Sequence, residues 1–158
     1  MSLTHEPRGQ WPRLWLAAPR AELLAAGGHL RALGKIRHLA LPQMGLALLP
    51  LVDGAFHESF NLGEIPLASS QLSIHTADGR EARGASCVMQ DDISMVETLA
   101  LADAVLAAGW PEGEALAVLL AQGRAALDEV ARQRKALLAA TTVDFALLGE
   151  TEDDDDAA

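Results

Sequence analysis

Cysteine and aromatic residues are scarce in this chain: one Cys, no Tyr, three Trp and three Phe among 158 residues. A single cysteine excludes an internal disulfide, which suits a reducing compartment. Few aromatics predict an aliphatic core built from the abundant Leu and Ala. Cys87 lies in the apolar stretch 85–89 with no cation nearby in sequence, and reads as an inert, buried thiol. No apolar run reaches the ~18 residues that a membrane span requires, because Pro19, Arg20 and Glu22 interrupt the stretch 14–24. With no basic segment followed by a small-residue cleavage site, no signal peptide is expected and the cytoplasm is the expected location. Positive charge is also short, with 12 Lys and Arg against 22 Asp and Glu and a net charge of −10. That balance argues against nonspecific binding to nucleic acid or to an anionic membrane, both of which need basic side chains. Six of the acids fall between Glu150 and Asp156, so 150–158 is expected to be a disordered acidic tail. Residues 1–149 then form one domain of ordinary size with a net charge of about −4.

What is present changes texture along the chain. Residues 11–24 are helix formers, with Trp11, Leu14, Trp15, Leu23 and Leu24 on one stripe despite Pro19 and with Gly27-Gly28 as the stop. Between 36 and 89, short β-compatible runs alternate with turn signals, chiefly Asp53-Gly54 and Asp78-Gly79. Strands are predicted at 36–41, 45–52, 55–62, 67–76 and 81–88. In 67–76, Leu72, Ile74 and Thr76 face one way and Gln71, Ser73 and His75 the other, the mark of a half-buried antiparallel strand. At Gln90-Asp91-Asp92 the pattern turns helical, with an acid placed to cap free backbone N–H groups. Ser94 followed by Glu97 offers a competing capping box. The helix 93–108 is apolar nearly all round, so it lies between the sheet and another helix of this chain or else forms part of a subunit interface. A long helix follows at 112–139, with Leu116, Leu120, Leu127, Val130 and Leu137 on one stripe and Arg124, Asp128, Arg132 and Lys135 on a solvated side. Residues 143–148 read as a short extended segment. The predicted class is α+β: an antiparallel sheet of about four to five strands packed against two long C-terminal helices and one N-terminal helix.

The common chemical motifs are missing. His5, His29, His38, His57 and His75 show neither the i, i+4 pairing nor the Cys-His spacing of a metal site, so no metal is expected on this chain. No glycine-rich loop joins a strand to a helix with a Lys-Ser or Lys-Thr end, and no base pairs with Ser69 or Ser70. Asp91-Asp92 are explained by a capped helix start before any acid–base role. No cofactor or catalytic residue is assigned.

Several segments, read in order, resemble the PhnG family. Pro42-Gln43-Met44-Gly45-Leu46 is similar to its Pro-Glu-Thr-Gly-Leu segment, and Phe60-Asn61-Leu62-Gly63-Glu64 to its Phe-Asn-Leu-Gly-Glu turn. Gln90-Asp91-Asp92 stands where the family has Gly-Arg-Asp. Glu97 and Asp103 match acidic positions on the helix that follows, and Ala139 through Val143-Asp144-Phe145 resembles the family's ending. The departures that bear on anion chemistry concern basic residues. The family's Thr-Arg pair falls at Ala68-Ser69 or Ser70-Gln71, and neither contains an arginine. The arginine of Gly-Arg-Asp is Asp91 here, and the basic residue before Val-Asp-Phe is Thr142. Neither aspartate nor a neutral side chain reproduces the guanidinium fork that grips phosphate.

The resemblance implies a subunit of the carbon-phosphorus lyase core complex, with PhnH-, PhnI- and PhnJ-type partners. That complex, with an ATP-binding-cassette-type partner, joins methylphosphonate to the ribose of ATP with loss of adenine. Radical cleavage of the carbon–phosphorus bond belongs to its iron–sulfur subunit, and this type of subunit shows no obvious active site of its own. The lost arginines leave open a structural or regulatory paralog without anion binding, and a free-standing enzyme is the third reading. Because of the apolar helix 93–108, the chain is expected to self-associate or to require a partner, as a homo- or hetero-oligomer.

Overall fold

A computed structural model describes residues 4–141. A strand begins at Glu81 and a helix at Ile93, as predicted, whereas the strand predicted from 55 begins at Ser59. After a 3-10 turn at Arg8–Gln10 come helices α1 (Trp11–Ala17) and α2 (Arg20–Arg31), then strands β1 (Gly34–Val52), β2 (Ser59–Thr76) and β3 (Glu81–Val88). Helices α3 (Ile93–Ala107) and α4 (Glu114–Ala140) follow, separated by a 3-10 turn at Pro111–Gly113. The sheet is antiparallel in the order β1-β2-β3, and all four helices lie on one side of it, with α3 directly on β2 and β3.

The α+β class holds, but the strand count is three rather than four to five. Predicted strands 36–41 and 45–52 are one strand, kinked by register shifts at His38/Ala40 and Ala40/Gln43. Pro42 does not break it because β1 is an edge strand, where a missing N–H leaves no ladder bond unmade on the open side. Predicted strands 55–62 and 67–76 likewise merge, and the first begins later, at Ser59. Asp53-Gly54 does not make a two-residue hairpin. Asp53 caps a longer loop, its carboxylate accepting from the N–H groups of Ala55 (3.2 Å) and Phe56 (2.7 Å), and these bonds hold its pKa below the usual carboxylate range. Asp78-Gly79 does turn tightly, with Gly79 at φ +87°.

The N-terminal helix is two helices. Pro19 disfavours helical geometry for Ala18, which is extended at ψ 167°. Gly27-Gly28 does not end α2, which runs on to Arg31. Gly27 instead permits close approach to α3, since a Cβ there would sit 2.6 Å from Thr98 Cγ2.

Helix α3 is the centre of the core. Eleven of its residues, Met95, Val96 and Thr98 through Leu106, are buried, with the sheet on one side and α2 and α4 on the other. The first of the two alternatives for this helix is therefore the observed one. Its cap is Asp92, whose side chain accepts from Met95 N–H at 3.0 Å, and the Ser94–Glu97 box does not form. Trp15 is fully buried and its indole N–H donates to Leu116 O at 3.0 Å, fixing α1 against the start of α4. Leu116 and Leu120 are buried and Leu127 packs against the core, but Val130 and Leu137 are exposed. The other helices cover only the first half of α4.

Strand β3 alternates strictly: Ala82, Gly84, Ser86 and Val88 point inward, while Glu81, Arg83, Ala85 and Cys87 point outward. Cys87 is thus exposed, not buried. Its apolar neighbours in sequence belong to opposite faces of the strand. Ser73, expected on the open face, is nonetheless buried between Arg37 and Arg83 of the flanking strands.

Candidate functional site

Three groups of side chains account for the residues singled out in sequence. The first is a set of ion pairs between the N-terminal segment and α3. Arg8 donates twice to Asp103, from Nε (2.7 Å) and a terminal nitrogen (2.8 Å), and Ala85 N–H donates to the same carboxylate at 3.0 Å. Asp103 is nearly buried, so it joins α3 to both β3 and the chain's beginning. Arg20 pairs with Asp92. Arg31 pairs with Glu97 at 2.7 Å, and His38 reaches the other oxygen of Glu97 at 2.6 Å. Burial works against the charge on Glu97, but the bonds from Arg31 and His38 outweigh it and its pKa falls below the ordinary value. Asp92 is lowered in the same direction, first by Arg20 and then by Met95 N–H. These acids are bound into the architecture. No sequence spacing announces the pairs, whose members lie 66, 72 and 95 residues apart.

The second group lies on the face of the sheet that no helix covers. The register aligns Lys35, His75 and Glu81 in one row, then Arg37, Ser73 and Arg83, then Ala40, Gln71 and Ala85, and then Gln43, Ser69 and Cys87. Gln71 is exposed and Ser69 half-buried, with Gln43 Nε2 a long 3.4 Å from Ser69 Oγ. The arginine absent from the central strand therefore has counterparts at Arg37 and Arg83 on the two flanking strands, one row away on the same face. Arg83 pairs with Glu81 at 3.2 Å. This face offers guanidinium, amide and hydroxyl donors to an anion, in an open setting where water competes. The alternation of β3 was the sequence signal that could have placed Arg83 with Gln71.

The third group is a projection. Strand β3 pairs with β2 only from Ala68 to His75, so residues 45–67, with Met44 at their base opposite Ala68, form a two-stranded ribbon without a third strand. Gly45, Asn61, Gly63 and Glu64 all lie on it and are exposed. Nothing lies within 4 Å of a Cβ built at Gly45 or Gly63, so no contact within the described residues requires glycine there. Nine large hydrophobic side chains between 44 and 62 are exposed, from 41% at Leu49 to 81% at Phe56. At the ribbon's base, Met44, Gly45, Leu46, Pro66, Gln90 and Asp91 line a shallow cavity of about 250 Å³. Asp91 thus stands beside the ribbon and carries the wrong charge to bind an anion.

Thr142, Val143, Asp144 and Phe145, the extended segment 143–148 and the acidic tail lie outside the described residues. Among the described residues, no three His, Cys, Asp or Glu side chains converge where a cation could sit, and no helix is long and apolar enough to cross a membrane. Compared with known families, the chain matches the model of phosphonate metabolism protein PhnG over residues 6–149. No curated protein matches it.

Proposed function

Because the chain belongs to the PhnG family of phosphonate metabolism proteins, we propose that it works as a non-autonomous subunit of the carbon-phosphorus lyase core complex. In this reading it supports transfer of methylphosphonate to the ribose of ATP with release of adenine, beside PhnH-, PhnI- and PhnJ-type subunits in the cytoplasm. The observation that carries it is the ribbon 44–62: an isolated two-stranded hairpin is marginal in water, and one with this much open apolar surface is suited to a protein cover. The body of the domain, by contrast, buries its apolar helix α3 within itself. The chain contributes shape and contacts, and the reacting groups and any cofactor come from its partners.

Asp91, Ser69 and Gln71 favour a second reading, a paralog that keeps the fold and the assembly surface without the anion chemistry. One reconstitution separates the two. The other subunits are expressed with and without this chain, and ribose 1-methylphosphonate 5-triphosphate formed from ATP and methylphosphonate is followed by phosphorus NMR. Product that depends on this chain is expected. An assembled but inactive complex would select the paralog, and failure of the chain to join the complex would refute both. Alone, the chain is expected to bind ATP and methylphosphonate negligibly by calorimetry; tight binding of ATP would instead give it a direct catalytic role.

A further inference from the structure

We infer that the ribbon 44–62 is the docking arm of this chain, and that it inserts into an apolar cleft rimmed by Lys and Arg on a different subunit. This rests on the complex proposed above and says which surface of the chain makes it. Three observations support it.

The first is area. Nine open hydrophobic side chains, each with roughly half of a ~200 Å² surface exposed, present on the order of 900 Å². That exceeds the few hundred Å² usual for the largest apolar patch of a monomer and equals the ~800 Å² that one partner contributes to a stable interface.

The second is the distribution of apolar groups over both faces. Met44, Leu46 and Leu48 alternate onto the face that continues the sheet's inner side at Ala68, while Leu49 lies on the other. A flat surface covers one face only. A cleft that closes on both is needed, as when a ribbon slides between two elements. Gly45 and Gly63, with open space around them, let foreign backbone approach closely.

The third is charge. No Lys or Arg occurs between Arg37 and Arg80, whereas Asp53, Glu58 and Glu64 lie on the ribbon and Asp91 at its base. Two copies meeting ribbon to ribbon would double these acids with no cation between them, which disfavours a second copy in that arrangement. This chain does carry a groove of apolar and basic residues, lined by Arg13, Leu127, Val130, Arg134, Lys135 and Leu138. Its length along α4 is about 18 Å, against about 30 Å for the nine residues from Met44 to Val52, and it is open on one side. It would leave much of the ribbon uncovered. Complementarity therefore points to another protein, with basic side chains set around an apolar slot.

The test uses the full chain co-expressed with the subunits named above. Leu48→Glu with Leu51→Glu is expected to weaken capture by at least ~100-fold, since it places two charges in a desolvated slot. Glu58→Lys with Glu64→Lys keeps the apolar surface and is expected to slow association by ~10-fold while flattening its salt dependence. Val130→Glu with Leu137→Glu on α4 is the control, expected within ~2-fold of the unaltered chain, and matching melting curves exclude misfolding as the cause. Ribbon variants captured as well as the unaltered chain would overturn the docking arm while leaving complex membership intact. Self-association of the purified chain in sedimentation, abolished by the Leu48 and Leu51 changes, would assign the ribbon to a second copy and overturn the foreign cleft. If no subunit captures the unaltered chain, the functional reading falls and the docking inference with it.

Discussion

Gly84 is a position where one added methyl group should be costly. It lies on the inner side of β3 under α3, and a Cβ there would stand 2.1 Å from Ala100 O, 2.5 Å from Ala104 N and 2.9 Å from Ala104 Cα. Carbon ordinarily keeps about 3.5 Å from such atoms, so α3 would have to lift by more than about 1 Å. The obstructing atoms are all backbone and cannot rotate away. Lifting α3 also loosens its contacts with β2 and β3, where Leu72 and Ile74 are packed. Overpacking typically costs about 1–3 kcal/mol, and the rigid surroundings place Gly84→Ala at or above about 3 kcal/mol. At this chain length that is a fall of about 10 °C in Tm. Thermal unfolding followed by circular dichroism measures it, with Gly45→Ala and Gly63→Ala as comparisons, because open space surrounds both. Those two should remain within about 1 kcal/mol of the original and tend upward, as alanine loses less backbone entropy than glycine on folding. A Gly84→Ala protein melting within about 2 °C of the original would refute the backbone contact between β3 and α3.

Cys87 should react with a water-soluble disulfide reagent in the native protein at a rate close to that of the denatured chain, because its side faces solvent; protection by a factor of about 100 would contradict the outward alternation of β3. Asp103→Ala should cost about 2 kcal/mol, read from urea unfolding, since Ala85 N–H loses its partner and Arg8 loses both bonds; Asp103→Asn, which can still accept from Ala85, should cost less. Acid should destabilise the fold through Glu97 and Asp92. Both have pKa values lowered from 4.5 and 3.8, so their contribution is complete above the unfolded values and is lost as pH falls from there through the folded ones. Urea midpoints should therefore be flat from pH 7 to about 5 and drop below it, and Glu97→Gln should blunt the drop; a midpoint that rises on acidification would reverse the sign of the argument.

The helices were legible because their signals are local. The apolar run of α3 and its acidic start sit within 16 residues, and α4 follows a plain Gly-Trp-Pro break. The bounds of β3 were legible too, but those of β1 and β2 were not, because Pro42 and Pro66 look like breaks unless one knows that the first lies on an edge and the second beyond the end of β3. Gly27-Gly28 looks like a stop until Thr98 is found against it. The acids Asp92, Glu97 and Asp103 were visible as positions in a family pattern, but their partners Arg20, Arg31 and Arg8 came from folding the chain back on itself. The ribbon was hidden for another reason. A strand prediction at 45–52 does not say what covers its leucines, and only the short reach of β3 shows that the rest of the domain leaves them outside.

The burial of Trp15 against Leu116, 101 residues further along, also sets an order of events during synthesis. Helices α1 and α2 leave the ribosome first, yet the surfaces they pack against belong to α3 and α4. At about 5–20 residues per second, those surfaces follow after roughly 5–20 s. For that interval Trp11, Leu14 and Trp15 have no native cover, and the ribbon emerges in the middle of it with its leucines equally bare. The nascent chain therefore presents two separate sticky segments before either can be sheltered, one awaiting its own C-terminal half and the other, in the proposed assembly, awaiting a partner. A chaperone that holds nascent chains, or translation close to the proposed partner, would matter more for this small domain than its length suggests.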